Sequence, residues 1–260
     1  MRTARSTSSE LWLRPCGVTT NRPRGRLVCM PHAGGTAQTY SSWPASLPAD
    51  IDVFAVQYPG RQDRFGEPLV DDLDRMVEPI VSAIQPFVGE PLAIFGHSMG
   101  AFVAYEVAAE VERRYGPVVD LLVVSGAPAP HEKGHGRMHT MSDVELIAEV
   151  NRVNVSFEEL LSTPGLVEVL LPMIRADYNV FETYVRRDPL PVKAALVAAG
   201  GVSDPEVDRA GLQAWSAFAT DRFDVIMLPG GHFYLADDEP AFLESLATYL
   251  PGARTPSTER

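Results

Sequence analysis

The chain has 260 residues, of which 45% are hydrophobic, and a formal net charge of −12 at pH 7. This length and composition are sufficient for one domain with its own hydrophobic core. The acidic balance argues against nucleic-acid binding, because phosphate backbones are held by clustered Lys and Arg side chains.

The sequence contains no run of about 20 apolar residues, and its first ten residues lack the apolar block of a secretory signal. We therefore expect a soluble, cytoplasmic protein that makes no contact with membranes. Cys16 and Cys29 are too few for a disulfide framework or a cysteine metal site. Cys29 lies in the apolar run LVCM, where a buried thiol is expected. We expect no metal and no cofactor.

Short apolar runs rich in β-branched residues alternate with helical patterns along the chain, and each run ends in Gly, Pro or a polar turn. This alternation predicts an α/β protein with a mostly parallel sheet between layers of helices. The predicted strands are Leu27 to Met30, Val53 to Gln57, Leu92 to Phe95, Leu121 to Ser125, Ala195 to Ala199 and Val225 to Leu228. A predicted helix runs from Phe102 to Tyr115, and Gly116-Pro117 ends it.

The alternation stops between about residues 128 and 186, where the sequence carries two amphipathic helical patterns. Nearly sixty residues are more than one crossover connection requires. We therefore expect a helical lid inserted into a single domain that covers residues 1–260. The alternative is that these are ordinary crossover helices.

A Gly-x-Ser-x-Gly motif follows the predicted strand PLAIF and directly precedes the predicted helix. In this context a sharp turn lifts the hydroxyl of Ser98 clear of the sheet, and the flanking glycines keep side chains out of the turn. The amide of Met99 lies at the start of the helix and can hold an oxyanion that forms beside Ser98. The motif predicts an α/β-hydrolase fold with Ser98 as the nucleophile.

A serine nucleophile requires a base, and in this fold the order along the chain is Ser, then Asp or Glu, then His. His232 is the one histidine beyond both the motif and the helical segment, and it follows the last predicted strand through a Pro-Gly-Gly turn. It is the predicted base. Asp204 follows the preceding predicted strand and is the predicted acid, with Asp208 and Asp177 as alternatives.

A second oxyanion donor is expected in the loop PHAGG that follows the first predicted strand. By position we assign it to the amide of Ala33, because Gly34 and Gly35 allow the loop to curl beneath a carbonyl oxygen. His32 precedes the serine motif, and we interpret it as structural. Beside the base, Phe233 and Tyr234 either line an acyl channel or pack the histidine loop against the sheet.

Several of these motifs together resemble the free-standing type II thioesterases of polyketide and nonribosomal peptide assembly lines. They are PHAGG, YPGRQDRFGEP, FGHSMGAFVAYE, LPGGHFYL and, in the predicted lid, LPMIRADYNVFETY. The resemblance implies the triad Ser98, Asp204 and His232, with Met99 and Ala33 as oxyanion donors. It also implies a substrate: an acyl group joined by a thioester to the phosphopantetheine arm of an acyl or peptidyl carrier protein.

Carrier proteins of such systems are usually acidic, as this chain is, so long-range electrostatics would oppose their encounter. We hypothesise that Arg61, Arg64 or Arg175 lies near the entrance and meets phosphate or carrier acids. The alternative is that Arg61 and Arg64 hold their own loop through internal hydrogen bonds. We expect a monomer.

Three other functions remain open at this point. The same triad fits an esterase or lipase that acts on small oxygen esters, and a hydrolase fold can also bind a ligand without turning it over. Acyl transfer to an acceptor other than water is the third, because the acceptor depends on what the lid admits.

Overall fold

The computed structural model describes residues 11–134, 136–153, 165–186 and 188–252. A single twisted sheet forms its centre, with strands in the order β1-β3-β2-β4-β5-β6-β7. Strand β1 is antiparallel to β3, and all other neighbouring pairs are parallel. The predicted class, a mostly parallel sheet with flanking helices, is confirmed.

The strands extend close to the limits that the apolar runs predict, but β1 is short and was not predicted. A three-residue edge strand carries too little pattern to be recognised in a sequence. The bounds are Leu13–Pro15 (β1), Gly25–Met30 (β2), Ile51–Val56 (β3), Leu92–His97 (β4), Leu121–Ser125 (β5), Ala195–Gly201 (β6) and Phe223–Leu228 (β7).

Helices cover both faces of the sheet and fill the connections between parallel strands. The α-helices in the described part of the chain are Asp74–Ile84 (α1), Met99–Tyr115 (α2), Asp143–Val153 (α3), Val167–Thr183 (α4), Arg209–Gln213 (α5), Tyr234–Asp237 (α6) and Glu239–Ala247 (α7). The predicted helix from Phe102 to Tyr115 corresponds to α2, which begins three residues earlier, directly after Ser98.

The sheet is buried on both faces, as parallel sheets require. Along β2, Val28 and Met30 pack into the cluster that contains α1 and α2, whereas Leu27 and Cys29 pack into the cluster on the opposite face. The Cys29 thiol is fully buried, as predicted, and burial raises its pKa well above the usual value. The central strands are thus packed between two apolar layers, and a packed sheet of this kind is the usual support for functional loops at the strand ends.

The predicted lid segment folds into α3, α4 and the loops around them, although residues 154–164 lie outside the described residues. Leu146 and Val150 of α3 pack on Leu171 and Ile174 of α4 in a cluster separate from the two clusters on the sheet. Helix α4 also packs against α2, the helix that follows Ser98. In the described ranges, no helix combines the length and apolarity that a membrane span needs.

Candidate active site

Ser98 lies in the turn between β4 and α2, and its backbone adopts φ 55° and ψ −120°. A positive φ is unfavourable for a residue with a side chain, so the surrounding structure must hold this conformation in place. The amide of Ser98 donates a 2.7 Å hydrogen bond to the carbonyl of Ser125, which fixes the turn to the neighbouring strand.

The glycines on both sides of Ser98 are required by close backbone contacts. A Cβ atom at Gly96 would overlap the carbonyl oxygen of Gly100, and one at Gly100 would overlap the carbonyl oxygen of Met30. Helix α2 therefore approaches β2 and β4 more closely than any larger residue would allow. This is the strained strand–turn–helix geometry that the motif predicts.

His232 and Asp204 contact each other at the carboxyl ends of β7 and β6. The Nδ1 atom of His232 lies 2.9 Å from Oδ2 and 3.1 Å from Oδ1 of Asp204. The side chains are 4% and 0% exposed, respectively. A carboxylate in this position fixes the imidazole orientation and directs its other nitrogen away from the acid.

The two alternative acids have other partners. Asp208 caps α5 by accepting a 2.8 Å hydrogen bond from the amide of Gly211. Asp177 forms a buried ion pair with Arg61. Of the three candidates, Asp204 is the one that the structure brings to His232.

Ser98 and His232 line the same cavity, which has a volume of about 330 Å³. In the described residues no hydrogen bond joins the two side chains. Catalytic hydrogen bonds are often loose until substrate is present, so this separation is compatible with a nucleophile and its base.

The predicted lid segment supplies much of the wall of this cavity. Tyr178 and Phe181 of α4 line it, as do residues 133–134 and 136–138 of the preceding loop. Charged groups from the same segment, including Arg137 and Glu182, also border the cavity. The sequence does not identify these lining residues, because their helical and loop patterns do not reveal which side chains face Ser98.

Two backbone amides near Ser98 are available to hold an oxyanion. Met99 is the first residue of α2, where amides have no acceptor within the helix. In the loop after β2, the Gly34 amide donates to Asp177 and the Gly35 amide donates to the carbonyl of His32. The amide of Ala33 has no acceptor among the described residues, which leaves it available as the predicted second donor.

A buried polar chain lies behind the candidate base. The Nδ1 atom of His97 is 2.9 Å from the Oγ atom of Ser125, which lies 2.7 Å from the hydroxyl of Tyr234. Burial, together with the neighbouring His232 and His32, lowers the pKa of His97 well below its usual value. His97 is therefore a neutral imidazole beside the candidate base.

Phe233 and Tyr234 directly follow His232 in the chain, and neither is among the described residues that line the cavity. Tyr234 is fully buried, and its hydroxyl binds Ser125. The ring of Phe233 meets the rings of His32 and His232 edge-on at centroid distances of 4.9 and 5.1 Å. These contacts favour the packing alternative over the acyl channel, and they agree with a structural role for His32.

The hypothesis that arginines meet the carrier at the entrance is contradicted for Arg61 and Arg64, because both side chains are buried. Arg64 donates to the carbonyl of Gln57 and pairs with Glu67. Arg61 pairs with Asp177 and donates to the carbonyl of Gly35. These contacts agree with the alternative interpretation, in which both arginines hold their own region through internal hydrogen bonds.

Arg175 is also engaged within the protein. Its guanidinium donates to the carbonyls of His139 and Met141 and to the carboxylate of Asp143, at 2.7 to 2.9 Å. These bonds tie α4 to the start of α3. Its charge is therefore partly neutralised inside the helical segment.

The family model described as "Thioesterase domain" matches residues 25–250 of the chain. Thioesterase PikA5 of Streptomyces venezuelae is 35% identical over 243 residues, which cover 93% of this chain and 86% of that protein. Among solved structures, the type II thioesterase BorB from the borrelidin biosynthetic cluster aligns with a TM-score of 0.84 and 36% identity. That alignment covers 94% of this chain and 99% of BorB.

A second solved structure extends the similarity to another pathway. RedJ, a thioesterase from the prodiginine pathway of Streptomyces coelicolor, aligns with a TM-score of 0.81 and 33% identity over 91% of both chains. The predicted resemblance to type II thioesterases is confirmed.

Proposed function

Because the chain belongs to the thioesterase family and resembles the type II enzymes of polyketide and nonribosomal peptide pathways, we propose that it hydrolyses acyl thioesters on the phosphopantetheine arm of carrier proteins. Its relatives establish it as a thioester hydrolase. The carrier-bound substrate and the triad of Ser98, His232 and Asp204 are the further steps of the proposal. Release of a stalled or wrongly primed acyl group would return the carrier to use.

One observation carries the proposed mechanism. The strained turn of Ser98 borders the same cavity as His232, and His232 is paired with the buried carboxylate of Asp204. A serine hydroxyl is a poor nucleophile at neutral pH unless a base accepts its proton, and a base works only when its tautomer and orientation are fixed. We propose that residues 128–186 act as the lid of this cavity.

In the proposed reaction, the Oγ atom of Ser98 attacks the thioester carbonyl and His232 accepts its proton. The carbonyl oxygen becomes an oxyanion held by the amides of Met99 and Ala33. Collapse of the tetrahedral species breaks the carbon–sulfur bond, and the thiol leaves after taking a proton from His232. Thiols have a pKa of about 8.5, so this departure needs little help. Water, activated by His232, then attacks the acyl-enzyme and frees the acid and Ser98.

Matched substrates test the choice between thioesters and oxygen esters. We expect the enzyme to turn over an acyl thioester faster than the oxygen ester of the same acyl chain, and a brief incubation to leave an acyl group on Ser98 that mass spectrometry detects. Ser98→Ala must lose both signals. Faster turnover of oxygen esters would identify an esterase instead, and failure of a fluorophosphonate to label Ser98 would identify a binding protein.

A further inference from the structure

An ion pair lies beneath the loop that carries the proposed second oxyanion donor. Nη2 of Arg61 is 2.7 Å from Oδ1 of Asp177, and Nη1 is 2.8 Å from Oδ2. The two side chains are 3% and 0% exposed. Arg61 follows β3, whereas Asp177 lies in α4 of the proposed lid, so the pair joins two distant parts of the chain.

Both members of the pair also bind the backbone of the loop that contains Ala33. Asp177 accepts a 2.7 Å hydrogen bond from the amide of Gly34, and Arg61 donates a 3.0 Å hydrogen bond to the carbonyl of Gly35. The ion pair therefore holds the first and the third peptide groups after Ala33. Because the chain is continuous, this fixes the direction of the Ala33 amide within a narrow range.

The charges of the pair also affect the electrostatic environment of the proposed oxyanion hole. A lone buried carboxylate one peptide unit from an oxyanion would oppose the negative charge that develops there. Arg61 neutralises Asp177 through two hydrogen bonds, and the proximity of Asp177 outweighs the effect of burial and raises the pKa of Arg61. The loop thus gains a strong acceptor for Gly34 without a net negative charge beneath the oxyanion.

Stability alone does not account for such a pair. The cost of removing two charges from water often equals or exceeds their attraction, and apolar residues of similar size often serve as well or better. This buried pair also bonds to two peptide groups of the loop that contains Ala33, and apolar side chains could not form those hydrogen bonds.

We propose that Arg61 and Asp177 are positioning residues for the oxyanion hole, and that through them the lid helix α4 sets the orientation of the Ala33 amide. This inference rests on the proposed mechanism with Ser98 as nucleophile. Neither residue touches the substrate. Both act through the loop, so their loss should affect the transition state more than substrate binding.

The experiment uses Asp177→Asn, Arg61→Gln and the double variant in the full chain, assayed with a small N-acetylcysteamine thioester. Glu106→Gln is the matched control. Glu106 is a buried carboxylate that pairs with Arg186 just after α4, and among the described residues its hydrogen bonds go to Tyr184 and Arg186, not to the loop that contains Ala33. Thermal unfolding establishes that each variant is folded, and a trifluoromethyl ketone analogue reports directly on oxyanion binding.

Arg61→Gln should lower kcat on the order of 10²-fold, because misplacing one donor costs about as much as losing it. KM should change by no more than about threefold. Asp177→Asn should lower kcat by a smaller factor than Arg61→Gln, because it leaves no unpaired negative charge. The kcat of the double variant should be roughly tenfold higher than that of Arg61→Gln, since the two residues act as one unit. The affinity of the ketone should fall in parallel with kcat, whereas Glu106→Gln should keep the wild-type kcat.

Unchanged kcat in folded Arg61 or Asp177 variants would overturn the inference, as would a rise in KM alone or an equal loss in Glu106→Gln. If Arg61→Gln does not fold, Asp177→Asn and Arg61→Lys decide by the same criteria. If the wild type hydrolyses no thioester but a fluorophosphonate labels Ser98, the proposed function fails. The labelling rates of the Arg61 and Asp177 variants relative to wild type then decide the inference. If Ser98 is not labelled in the wild type, both fail.

Discussion

At the scale of single residues, Asp204 and Asp208 have different partners although only three residues separate them. Asp204 is buried against His232, and Asp208 caps α5. We predict that Asp204→Asn lowers kcat by about 10³- to 10⁴-fold, because the amide stabilises the wrong imidazole tautomer. Steady-state kinetics with a small thioester measures this loss.

Asp208→Asn is the matched control for that prediction. An asparagine still caps a helix, so the variant should keep its activity, and even Asp208→Ala should cost only about 1 kcal/mol of unfolding free energy. Similar losses of kcat in Asp204→Asn and Asp208→Asn would contradict the assignment of Asp204 as the acid.

His97 allows a prediction about pH. Its pKa is lowered in the folded state by burial and by the neighbouring His232 and His32, so the unfolded chain binds more protons below about pH 6.5. Stability should therefore fall as the pH decreases through this range, by up to about 1.4 kcal/mol per pH unit for each such histidine. Urea unfolding of wild type and His97→Gln at pH 7.5 and 5.5 measures the difference.

The variant should lose less stability than the wild type between these two pH values, since glutamine does not titrate. The other titrating groups are the same in both proteins, so they cancel in the comparison. An equal loss in both would show that His97 is not held neutral by the fold.

The sequence identified the candidate nucleophile, base and acid because each follows a predicted strand in a fixed order along the chain. It did not identify the surroundings of Arg61. That side chain resembles a solvated loop residue in the sequence, and its partner Asp177 lies 116 positions later. Burial of a charged group depends on contacts between distant segments, which no local pattern contains.

At the scale of elements, apolar periodicity predicted the six longer strands, because parallel strands buried on both faces carry continuous apolar runs. It missed the short edge strand β1. It also predicted that the segment from about 128 to 186 is helical, but not which side chains of α4 face Ser98. That orientation follows from the packing of α3 on α4 and of α4 on α2.

Phe181 of α4 provides a test of how the cavity selects acyl chains. Its ring lies parallel to that of Phe102 at a centroid distance of 6.3 Å, and both rings line the cavity. A cavity of about 330 Å³ is at the small end of ligand pockets, which favours short acyl groups. We predict that Phe181→Ala raises kcat/KM for an octanoyl thioester relative to a propionyl thioester by about tenfold.

Competition between the two thioesters measures this preference directly. Phe65→Ala is a suitable control, because Phe65 is 60% exposed and does not line the cavity in the described structure. An unchanged ratio in folded Phe181→Ala would show that α4 does not limit the acyl chain.

At the scale of the whole molecule, the net charge of −12 affects encounter with a partner. If that partner is an acidic carrier protein, repulsion should slow association, and salt should relieve it. Raising the ionic strength from about 0.01 to 0.15 M shortens the Debye length from about 30 to 8 Å. We predict a higher kcat/KM for a carrier-bound thioester over this range.

A neutral N-acetylcysteamine thioester of the same acyl chain should show no such rise, because it carries no charge to screen. A fall in kcat/KM with salt for the carrier substrate would indicate attraction, and therefore a basic docking patch that outweighs the overall charge.

We propose that Ser98 releases acyl groups from carrier proteins. The most direct test measures release of acetyl, propionyl and longer acyl groups from phosphopantetheinylated carriers, beside the matched coenzyme A and N-acetylcysteamine thioesters, with Ser98→Ala as control. Release should favour the carrier-bound substrate and should disappear in Ser98→Ala. Activity restricted to the small thioesters would contradict the proposed substrate, and release that survives Ser98→Ala would contradict the mechanism.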